Sequence, residues 1–219
     1  METTKILNFL EDLSKNNNRD WFQENKKSYE NANLAMKEIV SKLISGISKF
    51  DLTVGSLDAS DCLFRIYRDV RFSKNKDPYK TNMGGFIVDG GRNSGRAGYY
   101  FHLEPDNCFL GGGIYMPEAK HLKMIREEII IAGEELITIE NSMEFKKYFK
   151  KIEGDKLVRP PKAYDSESRY VEYLKMKSFT VLYPLDNEFL LKDNYIEQIL
   201  LVFKAMHSLN QFINRALKP

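Results

Sequence analysis

The chain has 219 residues, of which 42% are hydrophobic and 29% charged, with 33 Lys and Arg against 31 Asp and Glu and a formal charge of +2. This composition excludes a disordered chain and predicts a soluble globular protein able to bury a sizeable core, and the near-balance of charge leaves little whole-molecule attraction to nucleic acid or anionic lipid. No apolar run approaches the roughly 20 residues that a bilayer span requires, no secretory signal pattern opens the chain, and Cys62 and Cys108 are too few for a disulfide framework; the expected location is cytoplasmic, without a membrane partner.

In chain order, Ile6, Phe9, Leu10 and Leu13 predict an opening helix with Thr3 or Thr4 as N-cap. Asn16-Asn17-Asn18 reads as a turn. A long helical pattern follows from about Asp20, carried by Trp21, Phe22, Tyr29, Met36, Ile39, Val40, Leu43, Ile44 and Ile47, with room for a break around Asn31-Ala32-Asn33. The period then changes. Segments 63–72, 83–89, 98–104 and 108–115 are short, rich in aromatic and branched residues, and separated by turn-forming stretches. Their connections are too short for parallel crossovers, so one antiparallel sheet is expected. Helix signals return at Glu118–Ala132, about 134–151 and 166–175, a further strand is expected at Lys177–Tyr183, and a closing helix runs from Asp193 to about Leu217. The order predicts an α+β fold: an antiparallel meander of four to five strands packed with helices from both chain ends, in a single domain over residues 1–219.

Several chemistries lack their motifs. No phosphate-cradling glycine loop of either common type is present, and no Gly-x-Ser-x-Gly elbow marks a serine nucleophile. His102, His121 and His207 are scattered and the two cysteines lie far apart, so neither a metal site nor a cofactor is expected.

One segment stands out. Residues 64–82, FRIYRDVRFSKNKDPYKTN, hold six bases and two acids, which leaves the rest of the chain slightly acidic. On a strand, alternate residues share a face. That parity would group Arg65, Tyr67, Asp69 and Arg71 on one side and Phe64, Ile66, Val70 and Phe72 on the other, with Arg68 stranded among the apolar set. If buried, Arg68 would need a distant acid or several carbonyls, because guanidinium does not lose its charge; equally, a bulge could turn it outward. The same parity puts Tyr100, His102 and Glu104 on the polar face and Tyr99, Phe101 and Leu103 in the core. Gly111 and Gly113 would leave that polar face bare beside Phe109 and Tyr115. Arginine supplies planar paired donors for phosphate or carboxylate, lysine a point charge and tyrosine a hydroxyl. The candidate ligand-binding set is therefore Arg65, Tyr67, Asp69, Arg71, Lys74, Lys76, Tyr79, Lys80 and Tyr100, with His102 and Glu104 as candidate proton-transfer groups.

The string from Leu63 to Asn82 closely resembles the signature of a bacterial and fungal family, domain of unknown function 2461. Asn17-Asn-Arg-Asp-Trp-Phe22, Gly98-Tyr-Tyr-Phe-His-Leu-Glu104, Gly111-Gly-Gly-Ile-Tyr-Met-Pro117 and Arg159-Pro-Pro-Lys-Ala-Tyr164 agree with it, while Asn33-Leu34-Ala35 departs from it where a proline is expected. The resemblance implies one domain over most of the chain and carries over no catalytic residue. Three functions stay open: a site for a small anionic ligand, with catalysis unassigned; a nucleic-acid module using the basic loop and Tyr67, Tyr79, Tyr99 or Tyr100 for stacking; and an interaction scaffold in which the basic segment is a structural network.

Overall fold

The computed structural model describes residues 2–218. Three helices open the chain: α1 (Glu2–Lys15), α2 (Arg19–Glu24) and α3 (Lys26–Ile47). Glu2 and Lys15 sit at the ends of α1 where the helix dipole favours each charge. Neither threonine caps it. Thr3 is buried within the first turn and its hydroxyl donates to the Leu190 carbonyl at 3.2 Å. Asn18 caps α2 by accepting from the Trp21 N–H at 3.0 Å. The break in the long pattern falls at Asn25, whose carboxamide donates to the Trp21 carbonyl at 2.9 Å. α3 runs unbroken through residues 31–35, as a stretch without proline allows.

After a 3-10 turn (Leu52–Val54) and α4 (Ala59–Cys62) come β1 (Met83–Ile87), β2 (Gly98–Leu103) and β3 (Cys108–Ile114). Next are α5 (Ala119–Asn141), α6 (Met143–Tyr148), α7 (Val171–Leu174), β4 (Phe179–Leu185), α8 (Asn187–Leu190) and α9 (Tyr195–Ala216). The four strands form an antiparallel sheet in the order β1-β2-β3-β4, and the fold is α+β. α5 bends at Ala132 and continues to Asn141, so the expected boundary near 133 is a kink inside one helix. The expected helix at 166–175 shortens to α7. Asp165 and Ser168 accept from the N–H groups of Glu167 and Tyr170, holding the approach to α7 in turns.

Residues 63–72 do not form a strand of the sheet. Leu63 makes one bridge to Gly85 on β1, and Tyr67 bridges Tyr79 in an irregular hairpin. Beyond Arg68 the chain turns. Its side chains bind nearby backbone instead of leaving that backbone for a ladder: Asp69 accepts from the Arg71 N–H at 3.3 Å, Lys76 donates to the Val70 carbonyl at 3.0 Å, and Asn75 accepts from the Asp77 N–H at 2.8 Å. Strand parity thus fails from Asp69 onward, and Phe72, expected on an apolar face, is 95% exposed.

The inner sheet face carries Tyr99, Phe101 and Leu103 of β2, Cys108, Leu110 and Ile114 of β3, and Phe179 and Val181 of β4, all buried. α9 packs on β3 and on α3 and α5, and α1 packs on α3. Its Ile199, Val202, Phe203 and Met206 join the same core cluster as these strand residues. Two amides of α9 act as backbone surrogates. Asn210 accepts from the Gly113 N–H at 2.9 Å and donates to the Gly98 carbonyl at 3.0 Å, while Asn214 makes the same pair of bonds with Ala97, at 2.8 and 2.9 Å. Gly113 has φ +93°, a conformation that excludes most side chains, so glycine and Asn210 together mark where the β2–β3 pairing ends while β3 stays paired to β4.

Candidate functional site on the outer sheet face

The outer face follows from the register. Gly84, His102, Phe109 and Pro184 form one cross-strand row, and Phe86, Tyr100, Gly111 and Leu182 form the next. A Cβ at Gly84 would come within 2.5 Å of the Tyr100 hydroxyl, so the missing side chain is what lets that ring lie across β1. Phe109 stacks on His102 with centroids 4.4 Å apart and covers the imidazole.

Tyr100, His102 and Glu104 share this face as strand parity requires and are linked in a chain. The Tyr100 hydroxyl lies 2.8 Å from His102 Nδ1, and His102 Nε2 lies 3.5 Å from Glu104. Burial lowers the His102 pKa, against an opposing pull from Glu104, so the imidazole favours its neutral form. With its hydrogen on Nε2 directed at Glu104, Nδ1 accepts from the Tyr100 hydroxyl. Burial, aided by the Glu104 charge, pushes the Tyr100 phenol up to about 12, so it stays protonated and donates. Glu104 is held further by Asn107 at 2.7 Å and by Thr81 at 3.3 Å. The chain can relay a proton between the Tyr100 hydroxyl and a carboxylate.

The irregular hairpin brings some of the basic residues to the edge of this face. Its stem is closed by Arg68 N–H to the Pro78 carbonyl, 2.9 Å, and Lys80 N–H to the Ile66 carbonyl, 2.8 Å. Tyr79 is buried and stacks on Phe22 at 4.0 Å, and Asn17 bonds to both its N–H and its carbonyl, at 3.1 and 3.0 Å. Phe64 meets Tyr100 edge-on at 6.0 Å, and the Lys80 ammonium lies 5.6 Å from the Phe64 ring centre. Burial lowers the Lys80 pKa and the nearby Arg65 guanidinium lowers it further. Neither Arg65 nor Lys80 has a carboxylate within ion-pair distance among the described residues.

The remaining candidates sit elsewhere on the hairpin. Arg71 is held by both oxygens of Asp69, at 2.9 and 2.7 Å. Lys76 closes the loop onto Val70, while Lys74 and the half-exposed Tyr67 face solvent. Among the described residues Arg68 makes no ion pair with a distant acid: it donates to the Asp77 carbonyl at 3.1 Å and the Ser73 hydroxyl at 3.4 Å, because its partly exposed position leaves no buried charge to neutralise.

A scan of the whole chain against family models finds one whose description is conserved hypothetical protein (DUF2461), matching residues 5–212. The chain belongs to this family. No curated protein and no solved structure matches it. The hairpin explains two of the family-like blocks at once, since Asn17 and Phe22 of the first block fasten Tyr79 of the second.

One polar cluster escaped sequence reading. Asp51, Tyr99 and His207 come from three separate stretches; the Tyr99 hydroxyl lies 2.9 Å from Asp51 and 2.7 Å from His207 Nδ1. No local pattern announces it, because its members meet only through the packing of α9 against the sheet. Both cysteines are free and buried, and burial pushes the Cys62 thiol up to about 11, which leaves it a poor nucleophile. Among the described residues no group of three or more His, Cys, Asp or Glu is placed to hold a metal ion, and no helix is long and apolar enough to cross a membrane.

Proposed function

We propose that the outer sheet face, at the edge formed by Arg65 and Lys80 and backed by Tyr100, His102 and Glu104, binds a small anionic ligand bearing phosphate or carboxylate. The observation that carries this reading is the pair of neighbouring cations without a carboxylate partner among the described residues. Lys80 is half-buried and its pKa is already lowered by burial and by Arg65, so an anion between them would relieve both effects. Asp69, whose charge Arg65 also feels, has both oxygens engaged by Arg71. The Tyr100 hydroxyl adds a neutral donor, and the chain through His102 to Glu104 is where proton transfer would occur if the bound molecule reacts. Arg68, Arg71, Lys76 and Tyr79 belong to the hairpin's own framework.

The test is thermal unfolding of the parent and of an Arg65→Ala/Lys80→Ala variant with inorganic phosphate, AMP and citrate. A ligand at 100 times its dissociation constant stabilises by about 2.7 kcal/mol, so the parent should melt several degrees higher with at least one probe and the variant should not. An unshifted parent, or an equal shift in the variant, defeats the proposal.

A nucleic-acid reading keeps one observation in its favour: Phe72 and Tyr67 are exposed rings on the basic hairpin. Tyr79 and Tyr99 are buried and offer no face to a base. Binding of a single-stranded oligonucleotide that weakens in Phe72→Ala and leaves Arg65→Ala unaffected would favour this second reading.

A further inference from the structure

In an antiparallel sheet with one face on the core, the other face ordinarily carries polar side chains in contact with water. Here that alternation fails. α9 packs on the inner face, yet the two cross-strand rows of the outer face hold Gly84, Phe86, Phe109, Gly111, Leu182 and Pro184, with Tyr100 and His102 as their polar members. Those two bond to each other at 2.8 Å. Leu182 is 52% exposed, Pro184 is exposed, and Phe86 and Phe109 are partly so.

The apolar surface is continuous. Phe64, 42% exposed on the hairpin, meets Tyr100 with ring centres 6.0 Å apart, and Tyr100 meets Phe109 at 5.7 Å. Gly111 lies buried, and a Cβ there would sit 3.5 Å from both the Leu182 and the Tyr100 side chains, so those two flank it on the outer side. An exposed apolar surface bordered by charge marks a place where something is held. The border sets the sign of the occupant. At the Phe64 end stand the Lys80 ammonium, 5.6 Å from the ring centre, and Arg65, neither with a carboxylate within ion-pair distance among the described residues. The surface leading away from them is built of aromatic rings, which a flat ring complements by offset or edge-on packing.

Resting on the anion site of the preceding section, we propose that its ligand is an aromatic anion: a phosphate or carboxylate held at Arg65 and Lys80 and joined to a flat, uncharged ring lying along Phe64 and Tyr100. The experiment measures dissociation constants of the full chain for inorganic phosphate, cyclohexyl phosphate and phenyl phosphate by thermal-shift titration. Phenyl phosphate should bind about tenfold more tightly than inorganic phosphate, the gain expected from covering one ring face, with cyclohexyl phosphate between them. Phe64→Ala should lose that gain and keep its affinity for inorganic phosphate. If inorganic and phenyl phosphate bind equally, the anion site stands and this inference falls; if neither binds, both fall. Equal binding of cyclohexyl and phenyl phosphate, or an undiminished gain in Phe64→Ala, also overturns it. Should Phe64→Ala fail to fold, the three ligands on the parent decide alone. A parent that elutes as a dimer, and as a monomer in Leu182→Asp, overturns the inference as well, since a second copy would then cover the face.

Discussion

Asp51 has the strongest electrostatic argument of any single residue. It accepts from the Thr53 hydroxyl at 2.6 Å and N–H at 3.2 Å and from the Tyr99 hydroxyl at 2.9 Å; His207 Nδ1 can donate to the tyrosine oxygen at 2.7 Å. Burial alone would raise its pKa. The His207 imidazole 3.6 Å away and the hydrogen bonds from Thr53 and Tyr99 outweigh burial and hold the carboxyl well below the usual range. The unfolded chain should titrate at about 3.9, so below that pH the unfolded state binds the extra proton first. The stability contributed by Asp51 is therefore complete above about pH 4 and is lost as pH falls toward the folded value. Denaturant unfolding at pH 7 and pH 3 should show a larger loss in the parent than in Asp51→Asn, which is less stable at pH 7 and flatter in pH. Equal losses in the two proteins would refute this assignment. His102 acts in the same direction at higher pH: burial lowers its folded pKa, so stability falls as pH drops below the unfolded value of about 6.5.

Among the elements, the basic hairpin is fastened by one residue far away in sequence. Asn17 bonds to both backbone polar groups of Tyr79, and Phe22 stacks on its ring. Losing both bonds in Asn17→Ala should cost about 1–3 kcal/mol, which in a chain of this size lowers the melting temperature by roughly 2–4 °C per kcal/mol. Arg71→Ala removes an exposed pair with Asp69 and should change melting by about a degree or less. The reverse order in a melting experiment would place the hairpin's support in its own loop. Legibility in the sequence divides along the same line. α1, β2, β4 and α9 were readable because their buried stripes repeat within one element. The strand expected at 63–72 was not, since its alternation continues through residues whose side chains close a loop. Tyr100, His102 and Glu104 could be placed on one face from parity alone. Lys80 comes to the Phe64 ring, and so beside Tyr100, only through the hairpin closure at Ile66 and Lys80, which no periodicity encodes.

At the scale of the molecule, α9 ties the sheet to the helical layer, through apolar packing and through a polar clamp. Asn210 is 1% exposed and supplies both an acceptor to Gly113 and a donor to Gly98, at the end of the β2–β3 pairing. An Asn210→Leu variant keeps apolar volume there but leaves a buried N–H and a buried carbonyl without partners. Each such group costs roughly 1–3 kcal/mol. Because α9 also packs on α3 and α5, the loss should not stay local. Hydrogen exchange in the variant should rise together in β2, β3 and α9, and the melting temperature should fall by several degrees. Leu201→Ser supplies the contrast: Leu201 lies on the same helix but is 48% exposed, so its replacement should shift melting far less. If exchange in Asn210→Leu rises only at Gly98 and Gly113, the two asparagines are a local repair of the sheet edge and α9 joins the layers by apolar contact alone.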